Sequence, residues 1–160
     1  MSKSMKPAPG KVAALLRPDA INLNLQAHQK TEALREVATL LQKANCVTNF
    51  DAFFAEILER ERLSNTALGH DVAIPHARTE QCCEILIAVG RSDTGIEFEA
   101  KDGQPVRLIF LIGTPKQMVT EYLRVVGNLA RLLRQDQLRQ NLLEAPDAAS
   151  FIKFIEQAEA

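Results

Sequence analysis

A chain of 160 residues, 46% hydrophobic and 24% charged, has the size and composition of one globular domain with its own core, not of a disordered or fibrous chain. Its formal net charge of −1 leaves no basic excess to draw nucleic acid or a membrane surface, so any anionic partner must be held by a local site. The longest apolar runs, Ile85–Val89 and Leu108–Ile112, fall far short of the roughly 20 residues that span a bilayer. No secretory apolar region follows Met1–Gly10, because Val12–Leu16 is short and Arg17 ends it. Three cysteines, Cys46, Cys82 and Cys83, are an odd count with two adjacent, which predicts reduced thiols in a cytoplasmic protein rather than a disulfide framework.

Residues 1–10, with Pro7, Pro9 and Gly10 and no apolar periodicity, predict a flexible tail, and residues 11–160 predict one domain. Ile21, Leu23 and Leu25 alternate with asparagines, the period of a strand. Ala33, Val37, Leu40, Leu41 and Ala44 form one stripe of a helix over about 30–44. Phe50, Phe53, Phe54, Ile57 and Leu58 form the buried face of a second helix over 50–63, with Thr48 or Asn49 as its N-cap and Arg60, Glu61 and Arg62 near its end. Ser64–Gly69 is a polar loop, followed by the short apolar piece Val72–Ile74 and then Pro75.

Ile85–Val89 and Val106–Ile112 are continuous apolar runs, as expected of central strands covered on two faces. Gly95–Phe98 predicts a short edge strand. A helix over about 116–134 carries Val119, Tyr122, Val126, Leu129, Ala130 and Leu133 on one face. A short helix over 137–143 ends at Pro146, and Asp147 starts a last helix through Phe151, Ile152 and Ile155. Strand and helix patterns alternate, so the fold class is α/β, a mixed sheet flanked by helices on both faces.

The usual nucleotide cradles are missing: there is no G-x-G-x-x-G, and Ile96-Glu97 follows Gly95 where a P-loop needs Lys-Ser/Thr. Neither a G-x-S-x-G elbow nor H-E-x-x-H is present. The stretch Leu68-Gly69-His70-Asp71-Val72-Ala73-Ile74-Pro75-His76-Ala77-Arg78 carries the chemistry instead. Pro75 lacks an N–H and holds Ile74 extended, so a strand should stop there with an imidazole just past its end. Strand ends are where ligands bind in open α/β sheets. An imidazole with pKa near 6.5 offers a lone pair at neutral pH. A phosphoryl group on it needs donors, for which Arg60, Thr66 and backbone N–H groups near Gly69 are available. His70, His76, Cys82 and Cys83 could also suggest zinc. However, neighbouring cysteines on a strand point to opposite faces, and paired zinc cysteines are normally two to four residues apart, so no metal is expected.

The series Arg60-Glu61, Thr66, Leu68-Gly69 and Ala73-Ile74-Pro75-His76 resembles the enzyme IIA domain of the fructose–mannitol type of the bacterial sugar phosphotransferase system, including its nitrogen-regulatory branch. Phe98–Val106 and Ile109–Pro115 look like that family's core strand and its approach, and the resemblance runs from about Leu15 to the C-terminus. It implies a phosphotransferase/anion-transport-protein-like fold, with His76 as the phosphoacceptor, Arg60 facing the phosphoryl group and no cofactor. It implies HPr or its nitrogen-branch homologue as donor, and a IIB cysteine or a regulated target protein as the next partner. It gives no role to nucleic acid or membrane insertion. The family often has a second histidine early in the helix after the core strand; here Tyr122 stands at that place. A phenol can donate a hydrogen bond there but carries no positive charge. Three functions compete: sugar-transport phosphocarrier, phosphorylation-dependent regulator, and a degenerate interaction module that keeps only the fold.

Overall fold

The structure, a computed structural model, describes residues 11–160; the expected tail over 1–10 lies outside the described residues. Two 3-10 turns, Ala13–Leu15 and Pro18–Ala20, lead into strand β1, Ile21–Asn22. Helices α1, Lys30–Thr39, and α2, Phe50–Leu63, follow. Strands β2, Ala67–Gly69, β3, Val72–Ala73, and β4, His76–Thr79, precede the long strands β5, Leu86–Ile96, and β6, Val106–Pro115. Helices α3, Val119–Leu132, α4, Asp136–Glu144, and α5, Ala148–Glu159, complete the fold.

The sheet order is β1-β5-β6-β3-β2, with β4 also paired to β6. β5 and β6 run antiparallel, and β3 and β4 run parallel to β6. Side chains of β5 and β6 alternate into two cores. Leu86, Ala88, Ile109 and Leu111 pack with Phe53 and Ile57 of α2 and with Leu34 and Val37 of α1. Ile87, Val89, Leu108, Phe110 and Ile112 pack with Val125 and Leu129 of α3, Leu142 of α4 and Phe151 of α5. The expected mixed sheet with helices on both faces is therefore present. Two caps fall where the sequence puts them: the Asn49 side chain accepts from Ala52 N, and that of Asp147 from Ser150 N.

Four local expectations change. The chain does not leave the sheet after Pro75: β3 and β4 lie end to end along β6, Val72 beside Leu108 and His76 beside Ile112. Pro75 breaks the ladder because it has no N–H to give, yet its carbonyl accepts from Ile112 N at 2.9 Å, so β6 holds the chain on both sides of the break. Gly95 and Ile96 continue β5 instead of forming a separate edge strand. Part of the polar loop, Ala67–Gly69, pairs with β3. And Cys46 is joined to Cys83, while Cys82 alone stays free and buried. An isolated bridge between Val47 and Cys82 brings the two segments together, a contact between residues far apart in sequence that no local pattern encodes.

Candidate functional site

His76 opens β4 with its side chain on the α3 side of the sheet, the side that Ile74 and Ile112 also face. It is 9% exposed. Its Nδ1 lies 2.7 Å from the carbonyl oxygen of Ile74. A carbonyl only accepts, so Nδ1 carries the proton and the lone pair sits on Nε2. The short step from Ile74 to His76 across the rigid Pro75 thus fixes both ring position and tautomer. Burial is the largest cause holding the imidazole below its ordinary pKa of 6.5, and the Arg60 guanidinium pushes the same way; the Ile74 carbonyl and Glu61 oppose them. The ring is neutral and nucleophilic at pH 7.

Next to it lies an open cleft of about 550 Å³ walled by Glu56, Glu59, Arg60, Leu63, Ala77, Arg78, Lys116 and Tyr122, though not by His76 itself. His76 adjoins this cleft through Ala77 and Arg78 and through Tyr122, whose ring centroid is 5.5 Å from its own. Arg60 comes from the last turn of α2 and donates from Nη1 to Ser64 O at 2.9 Å. It therefore closes the helix end, where a cation is favoured, and also presents charge to the cleft. Arg78 follows His76 by two residues, the strand period, so both share a face; its guanidinium lies 5.9 Å from the Tyr122 ring centroid. Lys116 leaves β6, and its backbone N–H donates to Thr79 O at 3.1 Å. Burial raises the Tyr122 phenol above its ordinary pKa and outweighs Arg60 and Arg78, so the hydroxyl remains a neutral donor.

Thr66 is brought near, but its part differs from that of a phosphate donor. It is buried, and its hydroxyl donates to Glu61 Oε1 at 2.5 Å while its N–H donates to Glu61 Oε2 at 2.8 Å. Its carbonyl accepts from Ile74 N at 3.1 Å. Thr66 thereby ties the backbone just before His76 to the last turn of α2. Glu61 is buried too, and Lys30 Nζ pairs with it at 2.9 Å. The N–H groups near Gly69 lie at the far end of β3, about 13 Å from His76 at the strand rise of about 3.3 Å per residue. There His70 N donates to Asp102 Oδ2.

Glu61 and Arg78 stood in the motifs read from the sequence but were given no role there, and Lys116 was missed. Strand period two from His76 would have found Arg78; no local signal points to Lys116. Cys82 is buried and Cys83 exposed, so the two do face apart, and the cluster of sulfur and carboxylate atoms among the described residues is Cys46, Cys83 and Glu84, with neither histidine.

On a mixed α/β sheet, a histidine of fixed tautomer thus feels the Arg60 guanidinium and adjoins a cleft that Arg78 and Lys116 also line, an arrangement suited to an anionic group. The chain belongs to the family described as "Phosphoenolpyruvate-dependent sugar phosphotransferase system, EIIA 2", whose model matches residues 14–158, and such domains are phosphotransferase phosphocarriers. It is 37% identical over 139 residues to a nitrogen regulatory protein of Bradyrhizobium diazoefficiens, covering 86% of this chain and 89% of that one. It is 35% identical over 147 residues to the fructose-specific EIIABC component of Bacillus subtilis, covering 92% of this chain but 23% of that much longer protein. In structure it is similar to the nitrogen regulatory protein IIA-Ntr of Neisseria meningitidis, with a TM-score of 0.84 and 29% identity over 89% of this chain and 97% of the other. The IIA mannitol of Escherichia coli, at 22% identity and a TM-score of 0.75 over 88% of this chain and 98% of the other, shares the fold. Among the described residues no helix is long and apolar enough to cross a membrane.

Proposed function

We propose that His76 Nε2 accepts the phosphoryl group from a phosphohistidine on HPr or a nitrogen-branch homologue, and that it passes the group to a IIB cysteine or uses it to control binding to a target protein. The observation that carries this reading is the Nδ1–Ile74 hydrogen bond, which leaves Nε2 as the one nucleophilic nitrogen of a neutral ring. As the Nε2–P bond forms, the donor's N–P bond breaks and its electron pair returns to the donor imidazole. Nδ1 keeps its proton throughout, donating it to the Ile74 carbonyl oxygen. Arg60, Arg78 and Lys116 offset the charge of the transferring group, and the Tyr122 hydroxyl supplies a neutral donor. Thr66 and Glu61 hold the frame. On this reading the protein works in the cytoplasm with soluble phosphoprotein partners.

Phosphoenolpyruvate, enzyme I and HPr should add one acid-labile phosphate per chain. His76→Ala should abolish labelling and His70→Ala should leave it. Labelling that survives His76→Ala assigns the phosphate elsewhere, and no labelling at all moves the chain to the interaction-module reading. Adding a purified IIB domain to the phosphorylated protein then separates the two destinations. Loss of label to the IIB cysteine identifies a transport role, and retained label with altered partner binding identifies a regulatory one.

A further inference from the structure

Away from the histidine, the turn after α1 meets the link between β4 and β5. Cys83 N donates to Cys46 O at 3.1 Å, Thr48 N donates to Gln81 O at 2.9 Å, and the Thr48 hydroxyl donates to Gln81 Oε1 at 2.9 Å. With the Val47–Cys82 bridge, these bonds form a small clasp whose backbone places the Cys46 and Cys83 Cα atoms 5.0 Å apart, within the span a disulfide requires. The clasp consists of main-chain and Thr–Gln bonds, so it holds the two sulfurs as neighbours whether or not they are bonded. Cys46 is half-buried and Cys83 exposed, so small thiols and disulfides can reach them. Cys82, next in sequence, is walled into the α2-side core, and burial pushes its thiol up to about 11, which keeps it out of exchange.

We propose that Cys46 and Cys83 form a reversible thiol–disulfide site on this protein, exchanging with small disulfides of the glutathione class. It is independent of phosphoryl transfer at His76. The exposed Cys83 thiolate attacks one sulfur of glutathione disulfide and releases the first glutathione thiolate, which takes a proton from water. Cys46, as thiolate after giving its proton to water, then attacks the Cys83 sulfur of the mixed disulfide, and the second glutathione leaves and is protonated. The protein loses two electrons and two protons, and one glutathione disulfide becomes two glutathiones. A surface pair with its partner held in place is the form that disulfides take in reducing compartments, where they are transient and responsive rather than permanent. Closing the bond spans 37 residues of sequence and staples the approach to α2 onto the exit of β4, the elements that carry Arg60 and His76.

The test uses the full chain, equilibrated anaerobically in buffers of graded glutathione to glutathione-disulfide ratio, trapped with a maleimide and weighed intact. Wild type should lose two reactive thiols together, with no stable mixed disulfide, and should regain both in excess reduced glutathione. Cys82→Ser should behave like wild type. Cys46→Ser and Cys83→Ser should each fail to form an internal bond, and Cys46→Ser should stop with one glutathione on Cys83. The oxidised wild-type chain should melt several degrees above the reduced one, a shift absent from Cys46→Ser. Three results would overturn the proposal: two thiols that oxidise independently to separate mixed disulfides, an internal bond involving Cys82, or a bond that excess reduced glutathione cannot open.

Discussion

At the scale of single residues, His76 is set by its neighbours in both tautomer and charge. Its folded pKa lies below the unfolded value of 6.5, chiefly through burial. Between those two values the unfolded chain binds a proton that the folded ring refuses. The resulting contribution to stability is complete above the unfolded pKa and is lost as pH falls through the folded one. Urea unfolding between pH 7.5 and 5 should therefore show a downward slope in wild type that is shallower in His76→Gln. The initial rate of phosphorylation should still exceed half its maximum at pH 6.5 and fall further at lower pH, where the ring charges; a rate already halved at pH 6.5 would contradict a lowered pKa. Arg60 both closes α2 and faces the cleft. Arg60→Ala should slow phosphorylation by roughly 100- to 1000-fold, the range for removing one charge-stabilising donor. Its far-UV circular dichroism should stay unchanged, because the one hydrogen bond lost is the exposed bond to Ser64. A variant that loses helix content would assign Arg60 to structure alone.

At the scale of elements, α2 meets β6 where the sheet leaves no room for a side chain. A Cβ added at Gly113 would lie 2.7 Å from a Phe53 ring carbon and 2.9 Å from Cys82 Sγ. Gly113→Ala should cost about 1–3 kcal/mol, measured by urea unfolding, because it overfills a packed core. It should also slow phosphorylation, since displacing α2 moves Arg60 from His76. Such a contact is invisible to periodicity, whereas α2 itself was legible from its phenylalanine spacing, with Thr48 and Asn49 both open as its cap until the structure selects Asn49. The helix α3 was legible in existence but not in rotation. Its sequence is apolar at 119, 122, 123, 125, 126, 129, 130, 132 and 133, so two stripes compete. Packing buries Val125, Leu129 and Leu132, and leaves Val119 and Leu123 41% and 61% exposed. The reason is physical: the first turn of α3 overhangs the site instead of the core, which puts Tyr122 against His76. The motif at Pro75 put the candidate histidine just past a strand break, yet β4 stayed hidden because only pairing with β6, far along the chain, could show that the strand resumes. Arg60 and His76 were readable as residue types in a known pattern. The service of Thr66 to Glu61 was not, because it depends on which oxygen the buried hydroxyl meets.

At the scale of the whole molecule, the long pair β5–β6 is a shared wall. Alternate side chains of each strand enter the α1–α2 core or the α3–α5 core, so neither core can come apart without exposing one face of the same strands. That coupling predicts one cooperative transition even though the helices on the two sides scarcely meet. Phe151 of α5 is fully buried, its ring 5.9 Å from that of Phe110 on β6, and it belongs wholly to the second core. Phe151→Ala should cost about 3–5 kcal/mol. Cys82, buried in the first core under α2, is an internal reporter placed on the other side of the sheet. In a urea series on Phe151→Ala, alkylation of Cys82 in the Cys46→Ser/Cys83→Ser background and loss of far-UV ellipticity should share one midpoint, lowered together relative to the same background with Phe151 intact. If Cys82 stays protected while ellipticity is lost, the α1–α2 half survives without its partner and the sheet does not transmit the damage. Coincident midpoints would mean that the platform holding Arg60 and the strand holding His76 are kept in register by packing on the far side of the sheet as much as by their own contacts.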